Sequence, residues 1–379
     1  MLVEPWLDGS HRRWAEGYQK ASSHQVHVVG LPGRLWRWRL RGGALPLADA
    51  VTSHVAAHGR PDVVVVSGLV DTAHLVGLAR PALDGVPVVI YQHESQVAYP
   101  TADGAPDGEA VLRNWLSWCA ADLVLFNSQH HLDVVLAAMP GFLAALPEPD
   151  HAARWEAVAS RFEVLAVGVD LRGLSSAESP PKLSAESAAP LILWPHRWEA
   201  DKDPPAFEAA LAKLAAADVE FRLVLAGEDP DGGSTDAVVA RRRVLDRFAP
   251  LVVAVGPFTD AEYRRWLIDA DLVVSCARHE FFGIGVVEAV AAGCVPLLPK
   301  ALSYPELIPE QWHEHALYEP GTFGSALVAA VHELPARRLA TAGMAAAMQR
   351  FAWPSVAQRY DERLAATVAW HQQATGEQT

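Results

Sequence analysis

Runs of valine, leucine and isoleucine too short to be helices recur along this 379-residue chain, separated by helix-forming stretches. In the first half they lie at residues 26–30, 62–67, 86–91 and 122–126. In the second half they lie at 191–194, 221–227, 251–256, 272–276 and 295–298. A strand that is apolar throughout, rather than alternately, is covered on both faces, as in a parallel sheet. Parallel neighbours need crossovers, and stretches such as 206–217 and 261–269 supply them. Between the two series lies a segment rich in Ser, Pro and Ala (Ser175, Ser176, Ala177, Glu178, Ser179, Pro180, Pro181), the composition of a linker. The pattern predicts an α/β protein of two Rossmann-like doubly wound domains facing across a cleft. The domains are expected at 1–171 and 190–350, with a linker at 172–189 and a C-terminal helix at 351–379 broken at Pro354. A chain of this length exceeds the size at which one core stops growing.

Composition excludes several classes. Hydrophobic content of 51% with 20% charged residues is that of a globular chain. No apolar run is long enough to span a bilayer, and the start lacks the basic and apolar regions of a secretion signal. The expectation is a cytoplasmic protein with no stable membrane association. Cys119, Cys276 and Cys294 are isolated in apolar contexts and read as core thiols of a reducing compartment. The net charge of −14 argues superficially against a nucleic-acid partner, yet residues 1–60 carry eight basic and four acidic residues. That segment is +4 while the remainder is −18.

The most informative local stretch runs from Glu280 through Phe281, Phe282, Gly283, Ile284 and Gly285 to Glu288. It follows the strand at 272–276 and is expected to open a small-residue helix from Glu288 to Gly293. Unpaired N–H groups at a helix start favour an anion, and glycine lets backbone approach it. Two carboxylates there cannot serve a phosphate; they suit hydroxyls, which points to a sugar. A solvated capping loop is the plainer reading of the same residues. Gly283-x-Gly285 lacks the third glycine of a dinucleotide site and lies too late in the chain.

The loop after the strand at 191–194 carries Arg197 and Lys202, a planar fork and a compact point charge suited to a diphosphate. Glu199, Asp201 and Asp203 could instead pair with both. Asp201-x-Asp203 looks like a metal-binding pair, but the intervening lysine competes, and Asp203 before Pro204 reads as a helix cap. His130-His131 and His313-x-His315 lack a third ligand, so no metal is expected.

In the first half, Gly9, Ser10 and His11 follow a strand shortened to residues 1–3 and open a helix, where Ser10 could cap or N–H groups could meet phosphates. Gln92, His93, Glu94 and Ser95 collect at a strand's carboxyl end, where open α/β sheets hold their chemistry. Arg34, Trp36, Arg37, Trp38, Arg39 and Arg41 alternate cations with indoles. Such a patch can bind phosphates and stack unpaired bases; it can equally be a tryptophan cluster with snorkelling arginines, or a basic patch for an anionic membrane.

The Glu280-x7-Glu288 run resembles the signature of the retaining nucleotide-sugar transferases with the two-domain GT-B fold. The resemblance implies that Glu280 contacts the transferred sugar, that Glu288 holds the ribose, and that Arg197 and Lys202 neutralise the leaving diphosphate. It narrows on three stretches: Gly9-Ser10-His11, the run from Leu35 to Arg39, and Gln92 through His93, Glu94, Ser95, Gln96, Val97, Ala98 and Tyr99 to Pro100. These look like the tRNA-queuosine mannosyltransferases, in whose pattern Asn stands at the place of Ser95. That resemblance implies transfer of mannose from GDP-mannose to queuosine in a tRNA anticodon, without a metal. It assigns catalysis to His93, Glu280, Arg197 and Lys202. Donor binding falls to Gly9, Ser10, His11, Arg197, Lys202, Phe258, Phe282, Gly283, Ile284 and Glu288. Acceptor binding falls to Arg34, Trp36, Arg37, Trp38, Arg39, Asp71 and Glu94. The alternatives are transfer of another sugar to a lipid-linked or small acceptor, and a non-catalytic RNA-binding relative.

Overall fold

The computed structural model describes residues 1–97, 106–174, 189–227 and 235–376. Ala98, Tyr99 and Pro100, with most of the expected linker from Ser175 to Pro181, lie outside the described residues. The chain divides into two compact units: Met1–Gly168 with Trp353–Thr379, and Val169–Ala352.

The first unit holds a six-stranded sheet of β1 (Leu2–Leu7), β2 (Val28–Pro32), β3 (Val64–Ser67), β4 (Val88–Gln92), β5 (Leu123–Phe126) and β6 (Phe162–Val164). Its strand order is β2-β1-β3-β4-β5-β6, and every pairing is parallel. β3, β4 and β5 are buried along their whole length, as runs such as Val64-Val65-Val66 require. Trp115, Trp118, Phe126 and Phe162 extend the core, and fully burying one apolar side chain of this size stabilises by roughly 1.5–3 kcal/mol.

Strand one is longer than the three residues expected. It continues through Glu4, Pro5 and Trp6 to Leu7, with a register shift between Glu4 and Leu7 that absorbs the proline's missing donor. The last helix, Trp353–Thr375, belongs to the first unit. Asp361 ties it there by accepting from Tyr18 Oη (2.8 Å), Ser22 Oγ (2.6 Å), and Ser23 N and Oγ (2.7 Å each). Arg363 forms a two-pronged pair with Glu163 at 2.6 Å. Pro354 does not break this helix; it sits in the first turn, where its missing N–H has no cost.

The second unit holds β7 (Leu191–Trp194), β8 (Arg222–Leu225), β9 (Val252–Val255), β10 (Leu272–Val274), β11 (Val295–Pro299) and β12 (Leu317–Tyr318). The order is β12-β11-β10-β7-β8-β9, again parallel throughout. Counted from β7, this is the order 3-2-1-4-5-6 of a dinucleotide-binding sheet, with its switch point between β7 and β10. Trp194 stacks on Phe207 at 4.0 Å in the core beneath.

The helix after β10 starts four residues earlier than expected, at Ile284, and runs to Ala291. Gly283 caps it at φ 98°, a conformation that glycine adopts without strain, so Glu288 lies inside the helix rather than at its start. Cys276 and Cys294 are buried free thiols, whereas Cys119 is only half-buried. Among the described residues no helix is long and apolar enough to cross a membrane.

Candidate functional site

In the second unit, the carboxyl ends of β7 and β10 flank the switch point, and the two loops leaving them carry the charged residues. Lys202 is buried there, with every ammonium proton engaged. Its Nζ lies 3.0 Å from Glu280 Oε2 and 3.1 Å from Asp201 Oδ2, and it donates to the His279 carbonyl at 3.1 Å. Burial by itself would lower the Lys202 pKa, and the charges of Glu280 and Asp201 outweigh it, holding the ammonium above its ordinary range. Conversely, burial would raise the Glu280 pKa, and the charge and hydrogen bond of Lys202 outweigh it, so the carboxylate is held down and ionised. Glu280 Oε1 also accepts from the Phe282 N–H at 3.4 Å.

The cluster of two carboxylates and one ammonium thus carries a formal charge of −1, and it presents carboxylate oxygens suited to hydroxyls. Asp203 does not join it: its side chain caps the Pro204–Ala216 helix by accepting from Ala206 N. Arg197 is exposed and paired with Glu199 at 3.2 Å. Its guanidinium is the cation of this loop that can turn to an arriving anion, while Lys202 must first loosen from its carboxylates.

His196 sits under this cluster, buried, with its pKa lowered to about 4 by burial and then by Lys202. It is therefore neutral at physiological pH. The residue lay within the motif read from the sequence but was assigned no role. Gly227, at the end of β8, is required by that packing: a Cβ there would stand 1.7 Å from the His196 carbonyl oxygen.

Glu288 is buried on the helix after Gly283 and accepts from Tyr263 Oη at 3.2 Å. Phe282 is buried edge-on against Phe351, and Ile284 is half-buried in the first helical turn. Phe258 packs at 6.2 Å from Trp266 on the loop leaving β9. All these residues belong to the second unit, and the β7 and β10 loops bring Lys202, Asp201, Glu280 and His196 together.

In the first unit, the loop after β1 starts the Gly9–Ala21 helix. Asp8 rather than Ser10 is its cap, accepting from Gly9 N at 2.9 Å. His11 Nδ1 lies 3.0 Å from Glu4 Oε2, and the other Glu4 oxygen accepts from Trp6 N at 2.8 Å. The His11 and His93 rings stand 4.3 Å apart, and Trp14 and Tyr91 pack edge-on against His93. Burial, then the neighbouring His11 and His131, push the His93 pKa far down, so it is a neutral imidazole. Asn127 accepts from or donates to both histidine supports: its Nδ2 donates to the His93 carbonyl (2.8 Å), and its Oδ1 meets His131 Nδ1 (2.9 Å). Ser95 is fully buried and Glu94 half-buried beside it.

The basic aromatic run folds as the short Trp36–Gly42 helix, so its alternation does not fall on one face. Leu35, Trp36 and Trp38 are exposed at 72%, 41% and 60%, so each indole presents a face to solvent. Arg37 lies over the Trp36 ring at 5.5 Å, Arg34 is exposed, and Arg39 Nη2 reaches back to the Pro32 carbonyl. Leu40 anchors the helix on Leu69 and Ala110. Nearby, Asp71 caps the Thr72–Leu78 helix and pairs with His74 at 2.6 Å. Arg113, unmarked in the sequence reading, is buried within the field of Asp71 and Glu109, and its Nη2 has no acceptor among the described residues.

Comparisons with known proteins bear on the family and the fold. Residues 1–169 match the family model described as tRNA-queuosine alpha-mannosyltransferase N-terminal, and residues 189–336 match glycosyl transferases group 1. A tRNA-queuosine alpha-mannosyltransferase of Drosophila melanogaster is 30% identical over 319 residues, 82% of each chain. A GDP-mannose:cellobiosyl-diphosphopolyprenol alpha-mannosyltransferase of Xanthomonas oryzae pv. oryzae is 26% identical over 284 residues, 74% of this chain and 65% of that one. Among solved structures, sucrose-phosphate synthase from Thermosynechococcus elongatus superposes with a TM-score of 0.70 at 15% identity, covering 97% and 98% of the two chains. An Anabaena protein in complex with UDP does so at 0.65 and 18%, covering 96% and 92%. These likenesses show the GT-B fold.

Proposed function

This chain belongs to the tRNA-queuosine alpha-mannosyltransferase family, and on that premise we propose that it moves mannose from GDP-mannose to the queuosine of a tRNA anticodon. The observation that carries the reading is the union, in one chain, of the queuosine-type amino-terminal match with a group 1 glycosyltransferase match. Mannose is supported by the names of both enzyme relatives, and GDP by that of the Xanthomonas relative. The exposed Trp36 and Trp38 with Arg34 and Arg37 supply stacking faces and cations for an unpaired RNA loop. The free cysteines fit a cytoplasmic protein that works where tRNA is.

In this reading Glu280 accepts hydrogen bonds from the mannose hydroxyls and Glu288 from the ribose. Arg197, Lys202 and the N–H groups at Gly283 and Ile284 take the charge that grows on the diphosphate as the C1–O bond breaks; such stabilisation is usually the largest catalytic contribution. The new bond forms from the acceptor hydroxyl to C1 on the same face. The hydroxyl proton passes to an oxygen of the departing phosphate, so configuration is retained with no protein nucleophile. This route uses no metal. His93, neutral and with its backbone carbonyl held by Asn127, suits orientation of a sugar or acceptor hydroxyl rather than binding of phosphate.

A lipid-linked acceptor is the second reading, favoured by the Xanthomonas match. One experiment separates them: consumption of GDP-mannose is followed with queuosine-containing tRNA, with the same tRNA bearing guanosine, and with a polyprenyl diphospho-oligosaccharide. Turnover with the first alone supports the proposal; turnover with the third alone replaces the acceptor and keeps the donor.

A further inference from the structure

Nothing in the sequence marks Ser303, on the loop after β11, yet it is 0% exposed and its Oγ donates to the Phe282 carbonyl at 2.9 Å. A buried carbonyl needs a donor, and this one belongs to the peptide that joins Phe282 to Gly283. That peptide is trans, so its N–H points opposite to its C=O. With the carbonyl held by Ser303, the Gly283 N–H is turned away from this loop, and no acceptor for it occurs among the described residues. The loop is itself fixed. Leu302 stands at φ 60°, a left-handed conformation that is costly for a residue with a Cβ and persists only where the surroundings hold it. Tyr304, also 0% exposed, hydrogen-bonds Ser275 Oγ at 2.7 Å, and Tyr318 Oη donates to the Ser275 carbonyl at 2.9 Å. Arg350 Nη2 donates to the Glu306 and Leu307 carbonyls at 2.9 Å each. The Tyr304 ring packs against Gly283, where a Cβ would stand 3.4 Å from Tyr304 Cε1.

We propose that Ser303 is a positioning residue: by holding the Phe282 carbonyl it aims the Gly283 N–H at an oxygen of the donor's diphosphate. The inference rests on the reading above that the helix start at Gly283 and Ile284 takes the diphosphate charge. All the groups involved lie in the second unit. Ser303 touches no substrate in this arrangement, and its effect passes through one peptide plane. A donor already turned to its acceptor costs no reorganisation when charge develops, whereas a peptide free to rotate would lose part of the contact. The other backbone group of Phe282 is held too, since its N–H donates to Glu280 Oε1 at 3.4 Å. Phe282 is thus clamped between the carboxylate read as facing the sugar and the serine that sets the next N–H.

Ser303→Ala tests this. The variant leaves the Phe282 carbonyl without its donor and the peptide free to turn. GDP binding, followed by calorimetry, is expected to weaken about tenfold to a hundredfold, the worth of one charge-assisted hydrogen bond. Binding of guanosine, which lacks the diphosphate, stays unchanged, whereas a merely structural role would weaken both. Ser303→Thr, which keeps the hydroxyl, restores much of the GDP affinity. A second measurement uses the wild-type protein: in proton–nitrogen-15 spectra the Gly283 amide proton moves downfield when GDP is added, and in Ser303→Ala it moves less. Equal losses for GDP and guanosine, an undiminished GDP affinity, or a Gly283 amide that GDP leaves unmoved overturns the proposal. If Ser303→Ala does not fold, the wild-type amide decides alone. A wild-type protein that binds no GDP is a different failure, that of the donor reading, and UDP with uridine as its control then makes the same test of Ser303.

Discussion

Replacing Lys202 by methionine removes the one ammonium between Asp201 and Glu280 while keeping the length of its stem. The side chains of Lys202 and Asp201 are 10% and 8% exposed and that of Glu280 17%, so the two carboxylates would be left facing each other away from water. Breaking a buried pair by deleting one partner costs about 3–5 kcal/mol. With roughly 2–4 °C per kcal/mol for a unit of this size, the second unit should melt roughly 6–20 °C lower at pH 7.5. The pH dependence distinguishes this cause from simple loss of packing. In the native protein the Glu280 pKa is depressed, so its contribution is present above the ordinary 4.5 and lost as pH falls through the folded value. The Lys202 pKa is raised, so its contribution is present below 10.5 and lost only at higher pH. In the variant the carboxylates repel and their pKa values rise, so protonation relieves the strain. The deficit relative to the native protein is therefore widest between about pH 6 and 9 and narrows toward pH 4.5. Scanning calorimetry at pH 4.5, 6 and 7.5 measures it. A melting temperature within 1 °C of native at pH 7.5, or a deficit that grows as pH falls, refutes the account of this cluster.

Glu280→Gln should lower transfer about a hundredfold or more while GDP binding by calorimetry stays within severalfold, since the proposed role of the lost acceptor is toward the sugar. Replacing both Trp36 and Trp38 by alanine should weaken tRNA binding by about 1–3 kcal/mol for each stacked base, read by filter binding at fixed salt, with hydrolysis of donor unaffected. Intact tRNA affinity would remove the patch from the acceptor site. Gly227→Ala should destabilise the second unit by about 1–3 kcal/mol in urea unfolding, because the added methyl meets the His196 carbonyl backbone. His196, depressed to about 4, should give stability that is full above pH 6.5 and declines as pH falls toward 4; His196→Gln should flatten that slope by about one proton.

The sheets were legible because their central strands are continuous runs of Val and Leu, and a strand covered on both faces writes itself that way. β6, with Glu163 in its middle, and the two-residue β12 were not legible, because short edge strands carry neither length nor an apolar run. The Glu280-x7-Glu288 loop was legible as a motif, yet its local geometry was not: Gly283 opens the helix early and carries Glu288 inside it. The saturation of Lys202 depends on Glu280, 78 positions away, and only the fold brings these together. Glu4 left one faint signal, a single carboxylate inside Leu2-Val3-Glu4-Pro5-Trp6-Leu7, an apolar strand end where a charge needs a reason. The alternation of Arg and Trp suggested a two-residue period, whereas Leu40 seats that segment as a helix.

The central claim is transfer of one hexose to queuosine. The most direct measurement is mass spectrometry of nucleosides from queuosine-containing tRNA incubated with this protein and GDP-mannose, beside the same tRNA lacking queuosine. The account predicts a queuosine heavier by one hexose in the first sample and no change in the second. An unmodified queuosine, from protein that binds both GDP and tRNA, would contradict it.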